Sequence, residues 1–170
     1  MKIAVCSDLH LEFAPLTIEN PGDVKVLILS GDILVENDLD EYNLPQIDSG
    51  FARHKSTMYH TFFEECCEAF EYVIYVAGNH EHYHGDFKYT ASELKKKLAH
   101  YNNLHVLDRE VFEMNDVVFV GSTFARLLRA RSSLPKVILG ATLGASVQLY
   151  NPEFNSNCPQ FFSSCSLFLT

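Results

Sequence analysis

An α/β fold built in layers follows from three features of this sequence. Short apolar runs alternate with helical or irregular stretches, the first three of these runs are apolar almost throughout, and one stretch repeats large apolar residues at every fourth position. Such alternation argues for strands and helices in separate layers. Strands that are apolar on both faces belong in a covered sheet, and a period near 3.6 argues for a helix laid on that sheet. Composition agrees with this class. A chain of 170 residues, 47% hydrophobic and 21% charged, is long enough to bury a core and is not disordered, collagenous or coiled-coil.

Taken in order, the predicted strands are Lys2–Ser7, Val24–Ser30, Tyr72–Ala77, His105–Asp108, Val111–Glu113 and Val117–Gly121. A helix is predicted from Thr57 to Phe70, because Met58, Phe62, Cys66 and Phe70 form one apolar stripe that would cover the sheet. A second helix follows Thr90, whose hydroxyl and Glu93 have the spacing of a T-x-x-E capping box ahead of Leu94 and Leu98. Lys95, Lys96 and Lys97 then read as a wet helix face with charge suited to a helix C-terminus. Between Leu34 and Lys55 there is no sustained period, and Glu36, Asp38, Asp40, Glu41 and Asp48 make it an acidic loop of the length that often forms a lid beside a site.

Thirteen Lys and Arg against 22 Asp and Glu give a net charge of −9, so a nonspecific grip on nucleic-acid phosphates has no global support. The apolar run at the N-terminus stops at Asp8, too soon for a signal peptide, and no stretch approaches the ~18 apolar residues of a membrane span. Five cysteines, at 6, 66, 67, 158 and 165, contain no C-x-x-C pair and read as free thiols. Together these features predict a cytoplasmic protein in a reducing compartment, with no membrane partner.

Three polar clusters follow the first three strands at once: Asp8-Leu9-His10, Gly31-Asp32 and Gly78-Asn79-His80-Glu81. Ligands of open α/β sheets bind outside the carboxyl ends of the strands, so clusters at three strand ends can meet at one point. Each alone is an ordinary turn sequence. As a set, Asp, His, Asp, Asn and His are the oxygen and imidazole donors that manganese, iron or zinc accept. His82 and His84 read as loop residues at the rim. His54, His60, His100 and His105 read as ordinary surface or half-buried histidines.

At these residues the chain resembles the calcineurin-like metallophosphoesterase family, whose signature runs D-x-H, then G-D, then G-N-H-[DE]. The resemblance covers residues 1–124 and implies the N-terminal part of a β-sandwich flanked by helices, incomplete here, with a mixed sheet. It further implies a centre of two divalent metal ions in which Asp8 and His10 bind one ion, Asp32 bridges both, and Asn79 binds the second. His80 would hydrogen-bond the substrate phosphate and assist the leaving group, and Glu81 would orient His80. The implied reaction is hydrolysis of a phosphomonoester or phosphodiester by a metal-held hydroxide. Nucleic acid enters only as one such substrate.

The chain departs from that family pattern in its last quarter. Members complete the centre with histidines on later strands, whereas here no histidine follows His105. Residues 125–170 contain one acid, Glu153, and four bases, Arg126, Arg129, Arg131 and Lys136. This atypical basic tail reads as poorly ordered or as the product of a shifted reading frame. A non-catalytic interaction protein that retains the fold is the competing reading.

Overall fold

The computed structural model describes residues 1–42, 51–115, 117–122, 137–141 and 146–150, with 51–53 and the last two segments described as backbone alone. Two four-stranded sheets face each other. The first contains β1 (Lys2–Cys6), β2 (Val24–Ser30), β3 (Tyr72–Val76) and β4 (Leu104–Val106), in that order and all parallel. The second contains β5 (Glu110–Met114), β6 (Val117–Gly121), β7 (Val137–Ala141) and β8 (Ser146–Tyr150). It is mixed, with β6 and β7 parallel and the outer pairs antiparallel. The layered α/β class is thus as the sequence predicts, and the two-sheet sandwich with a mixed sheet is as the resemblance implies.

The near-continuous apolar character of β2 and β3 has a simple cause: both faces of the first sheet are covered. Ile3, Val26, Ile28, Ile74 and Val76 turn inward and pack with Leu107, Met114 and Phe119 between the sheets. The alternate residues Leu27, Leu29, Val73 and Tyr75 turn outward into the larger core under the helices. Register along β1 and β2 is interrupted once, since Lys2 pairs with Val24 but Ile3 pairs with Val26. The bulge leaves Lys25 on the surface, bonded to Glu71 at 2.9 Å, and lets Val24 and Val26 enter opposite cores.

Helix α1 (Phe51–Ala69) lies on the outer face through Tyr59, Phe62, Phe63 and Cys66, all buried. It begins six residues before the predicted start, since Phe51 to Ser56 contains neither glycine nor proline to prevent it. Helix α2 (Thr90–Lys97) buries Leu94, with Leu98 just after it. The predicted capping box does not form: Thr90 is already inside the helix, and its hydroxyl donates to the carbonyl of Asp86.

The acidic stretch after β2 is packed, not loose, over its first part. Leu34, Val35 and Leu39 are buried on either side of a single 3-10 turn, Glu36–Asp38. Glu36 is buried too, held by Lys97, the lysine predicted to be solvated. Lys55 meets Asp38 at 2.9 Å. Residues 43–50, the rest of the predicted lid, lie outside the described residues, as does most of the basic tail, which is represented by β7 and β8.

Candidate metal centre

The loops leaving β1 and β2 are zipped together. The Asp8 amide donates to the Gly31 carbonyl at 3.0 Å, His10 to Asp32 at 3.0 Å and Leu11 to Ile33 at 2.8 Å. To run this way the backbone enters the left-handed region at Asp8 (φ 56°), His10 (φ 49°), Gly31 (φ 79°) and Asp32 (φ 55°). Glycine does this freely, but each non-glycine residue costs roughly 1–2 kcal/mol. Three of the six predicted site residues carry that strain, which His84, Arg109 and Asn115 carry elsewhere.

The third loop is held against the second by close approach. A Cβ on residue 78 would stand 2.5 Å from the Asp32 nitrogen and closer still to Asp32 Oδ1. Gly78 is therefore required by contact, not by a positive φ. The gap it leaves lets the His80 amide donate to Asp32 Oδ1 at 2.9 Å.

His10, Asp32 and His80 each offer a ligand atom, and these atoms lie within 4.8 Å of one another. Among the described residues no other set of three or more His, Cys, Asp or Glu side chains converges in this way. Asp8 leaves the same strand end two residues before His10, and its Oδ2 is buried without a hydrogen-bond partner. A buried anionic oxygen left unpaired is costly, and a cation would relieve it. The donor chemistry of His10 and Asp32 fits a divalent ion, whereas Asp8 is not among the side chains whose ligand atoms converge. His80, expected to serve substrate, stands within ligand distance of the same point. Asn79 follows Gly78 in the same loop, half-buried, its side-chain amide donating to the Tyr83 hydroxyl at 3.2 Å.

Glu81 does something other than orient His80. Fully buried, its carboxylate accepts from the amides of Asp32 (3.0 Å), Ile33 (2.8 Å) and Gly78 (2.6 Å) and from the Tyr75 hydroxyl (2.7 Å). One side chain thereby clamps the second and third loops to β3. Burial pushes its carboxyl above the usual carboxylate range, opposed by the hydrogen bonds from Ile33 and Tyr75. The contact to His80 comes from a residue absent from the predicted set: Glu12, whose Oε1 lies 2.8 Å from His80 Nδ1 and 3.2 Å from His10 Nδ1. The sequence signal was its position two residues past His10, on the same turn.

Aromatic rings border the cluster. Phe13, 81% exposed, tilts toward His10 at 6.1 Å, and Tyr83 lies 4.4 Å from His80. His82, read as a rim residue, instead has both ring nitrogens buried without partners beside Phe87. Burial pushes its pKa below the ordinary histidine value.

A two-sheet α/β sandwich with an oxygen-and-imidazole donor set at its strand ends defines a class of metal-site proteins. The calcineurin-like phosphoesterase model matches residues 1–142. The chain belongs to that family, a superfamily of phosphoester hydrolases that generally use divalent metals. It is also 28% identical over 134 residues to an uncharacterized protein of Acanthamoeba polyphaga mimivirus, covering 69% of this chain and 41% of the relative. The chain thus spans about two fifths of that protein's length. Among the described residues no helix is long and apolar enough to cross a membrane.

Proposed function

We propose that this chain is a metal-dependent phosphoesterase that hydrolyses phosphomonoesters or phosphodiesters at the strand-end cluster. The observation that supports this most is the convergence of His10, Asp32 and His80 ligand atoms within 4.8 Å, in a chain whose family acts on phosphate esters. Asp8, His10 and Asp32 would hold one divalent ion. Asp32, as an acceptor with two oxygens, would extend to a second ion together with Asn79. Manganese, iron or zinc suits such donors. Bound ions would supply Lewis acidity and acidify a water to a pKa of about 7 in favourable cases.

The residues of the chain have separate tasks. His80 would donate to a phosphate oxygen or to the departing alkoxide as the imidazolium, in which both ring nitrogens are donors. Glu81 acts as a positioning residue, keeping the Asp32 and Gly78 amides in register with β3. The carboxylates of Asp8 and Asp32 must be ionised to ligate, so acid conditions are expected to release the metal.

The competing reading, a protein that keeps the fold without turnover, draws on the lack of any histidine after His105. Metal analysis together with hydrolysis of p-nitrophenyl phosphate and its bis ester in added Mn²⁺ separates the two. Turnover that disappears in Asp32→Asn supports the enzyme. A folded protein with neither bound metal nor turnover refutes it.

A further inference from the structure

We propose that Glu12 is the positioning residue of the metal centre, a single carboxylate oxygen that holds both imidazoles by Nδ1 and so presents both Nε2 atoms to the ligand. The proposal rests on the reading of the cluster as a metal site, and it adds a residue that the D-x-H, G-D and G-N-H-E segments do not contain. Four observations carry it. Glu12 Oε1 is within hydrogen-bond distance of His10 Nδ1 and His80 Nδ1, at 3.2 Å and 2.8 Å. The side chain is only 7% exposed, so water does not compete for that oxygen. The two rings meet edge to face, with centroids 4.3 Å apart, a geometry in which one oxygen can serve both. Finally, no lysine or arginine forms an ion pair with Glu12 among the described residues, and its Oε2 is buried without a partner.

The chemistry follows from the inventory of donors. An ionised carboxylate only accepts, so a contact to both Nδ1 atoms requires Nδ1–H on both rings. Each Nε2 is then the lone-pair nitrogen. Free imidazole has no such constraint, and each ring would otherwise sample both tautomers and a range of orientations. Outer-shell carboxylates on ligating histidines act in this way, and losing one typically weakens metal affinity by 10–100-fold. The backbone supplies the aim: the left-handed φ of His10 and the bond from the Phe13 amide to the His10 carbonyl at 3.0 Å fold Glu12 back over the ring two residues earlier.

Nitrogen-15 spectra of the metal-free protein at about pH 8, above the ordinary histidine pKa, read the tautomers directly. His10 and His80 are expected as Nδ1–H in the wild type and as mainly Nε2–H in Glu12→Ala. Calorimetry with Mn²⁺ is expected to show a 10–100-fold affinity loss in Glu12→Ala. Glu12→Gln keeps the volume and an acceptor oxygen, so it should stay folded, retain the Nδ1–H pattern and recover part of the lost affinity. An Nε2–H ring in the wild type, an unchanged pattern in Glu12→Ala, or a folded Glu12→Gln no better than Glu12→Ala would overturn the assignment. Wrong tautomers with intact wild-type Mn²⁺ affinity would overturn the role of Glu12 alone. Expected tautomers with no Mn²⁺ affinity in the wild type would overturn the metal reading, and the positioning role with it.

Discussion

Replacing Glu81 by alanine should be the most damaging single change at the site, although Glu81 is not among the metal-ligating side chains. Its carboxylate is the acceptor for four buried donors: the amides of Asp32, Ile33 and Gly78 and the Tyr75 hydroxyl. Each buried donor left unsatisfied costs about 1–3 kcal/mol. Relief from burying a charge and partial loop relaxation offset part of that, leaving a net loss of about 3–5 kcal/mol, the scale for breaking a buried charged network. Against a total stability of about 5–15 kcal/mol for a domain, this brings the variant close to unfolding. Urea denaturation followed by far-UV circular dichroism measures the change at a shared slope. Glu71→Ala is the control, because Glu71 is exposed and, among the described residues, bonded only to Lys25 at the surface, so its loss should stay within about 0.5 kcal/mol. A Glu81→Ala midpoint matching that of the control would refute the clamp.

Three further outcomes follow from the same geometry. Gly78→Ala pushes a methyl against Asp32, so Mn²⁺ affinity measured by calorimetry should fall at least as far as in a variant lacking a supporting carboxylate, about 10–100-fold. Phe63→Ala empties a fully buried position under α1 and should cost about 3–5 kcal/mol in the same urea assay. His60 is buried, with Nε2 on the Asp40 carbonyl at 2.9 Å, and burial depresses its pKa below 6.5 against the pull of that hydrogen bond. The unfolded chain therefore binds more protons below pH 6.5, so this stabilising share is complete above that pH and is lost as pH falls through the depressed value. His60→Gln should flatten that part of the stability-versus-pH curve measured by urea titration. Burial lowers His100 and His105 as well, and their share should remain.

What could be read from the sequence was set by periodicity and by strand ends. Apolar runs such as Val24–Ser30 and Tyr72–Ala77 announce strands covered on two faces; the first falls on the predicted residues and the second ends one residue earlier, at Val76. The D-x-H, G-D and G-N-H-E segments were visible because each follows such a run at once. Other features escaped for physical reasons. Glu12 needed the left-handed turn at His10 to bring it back over the ring, and a backbone φ has no one-letter signature. The Glu81 clamp has no local spacing to announce it, because two of its donors, the Asp32 and Ile33 amides, lie on another loop nearly fifty residues away. Lys97 looked solvated within a lysine run, yet buried Glu36 lies across from it in space. Thr90 fitted a capping box by spacing alone, while the helix had already begun and its hydroxyl turned to Asp86.

Titration of Mn²⁺ into the protein, read by the loss of the free-ion electron paramagnetic resonance signal, addresses the metal centre most directly. Saturable binding is expected in the wild type, weakened at least tenfold in Asp32→Asn and unchanged in Glu71→Ala. A folded wild-type protein that leaves the free-ion signal intact, or an Asp32→Asn variant that binds as tightly as the wild type, would contradict it.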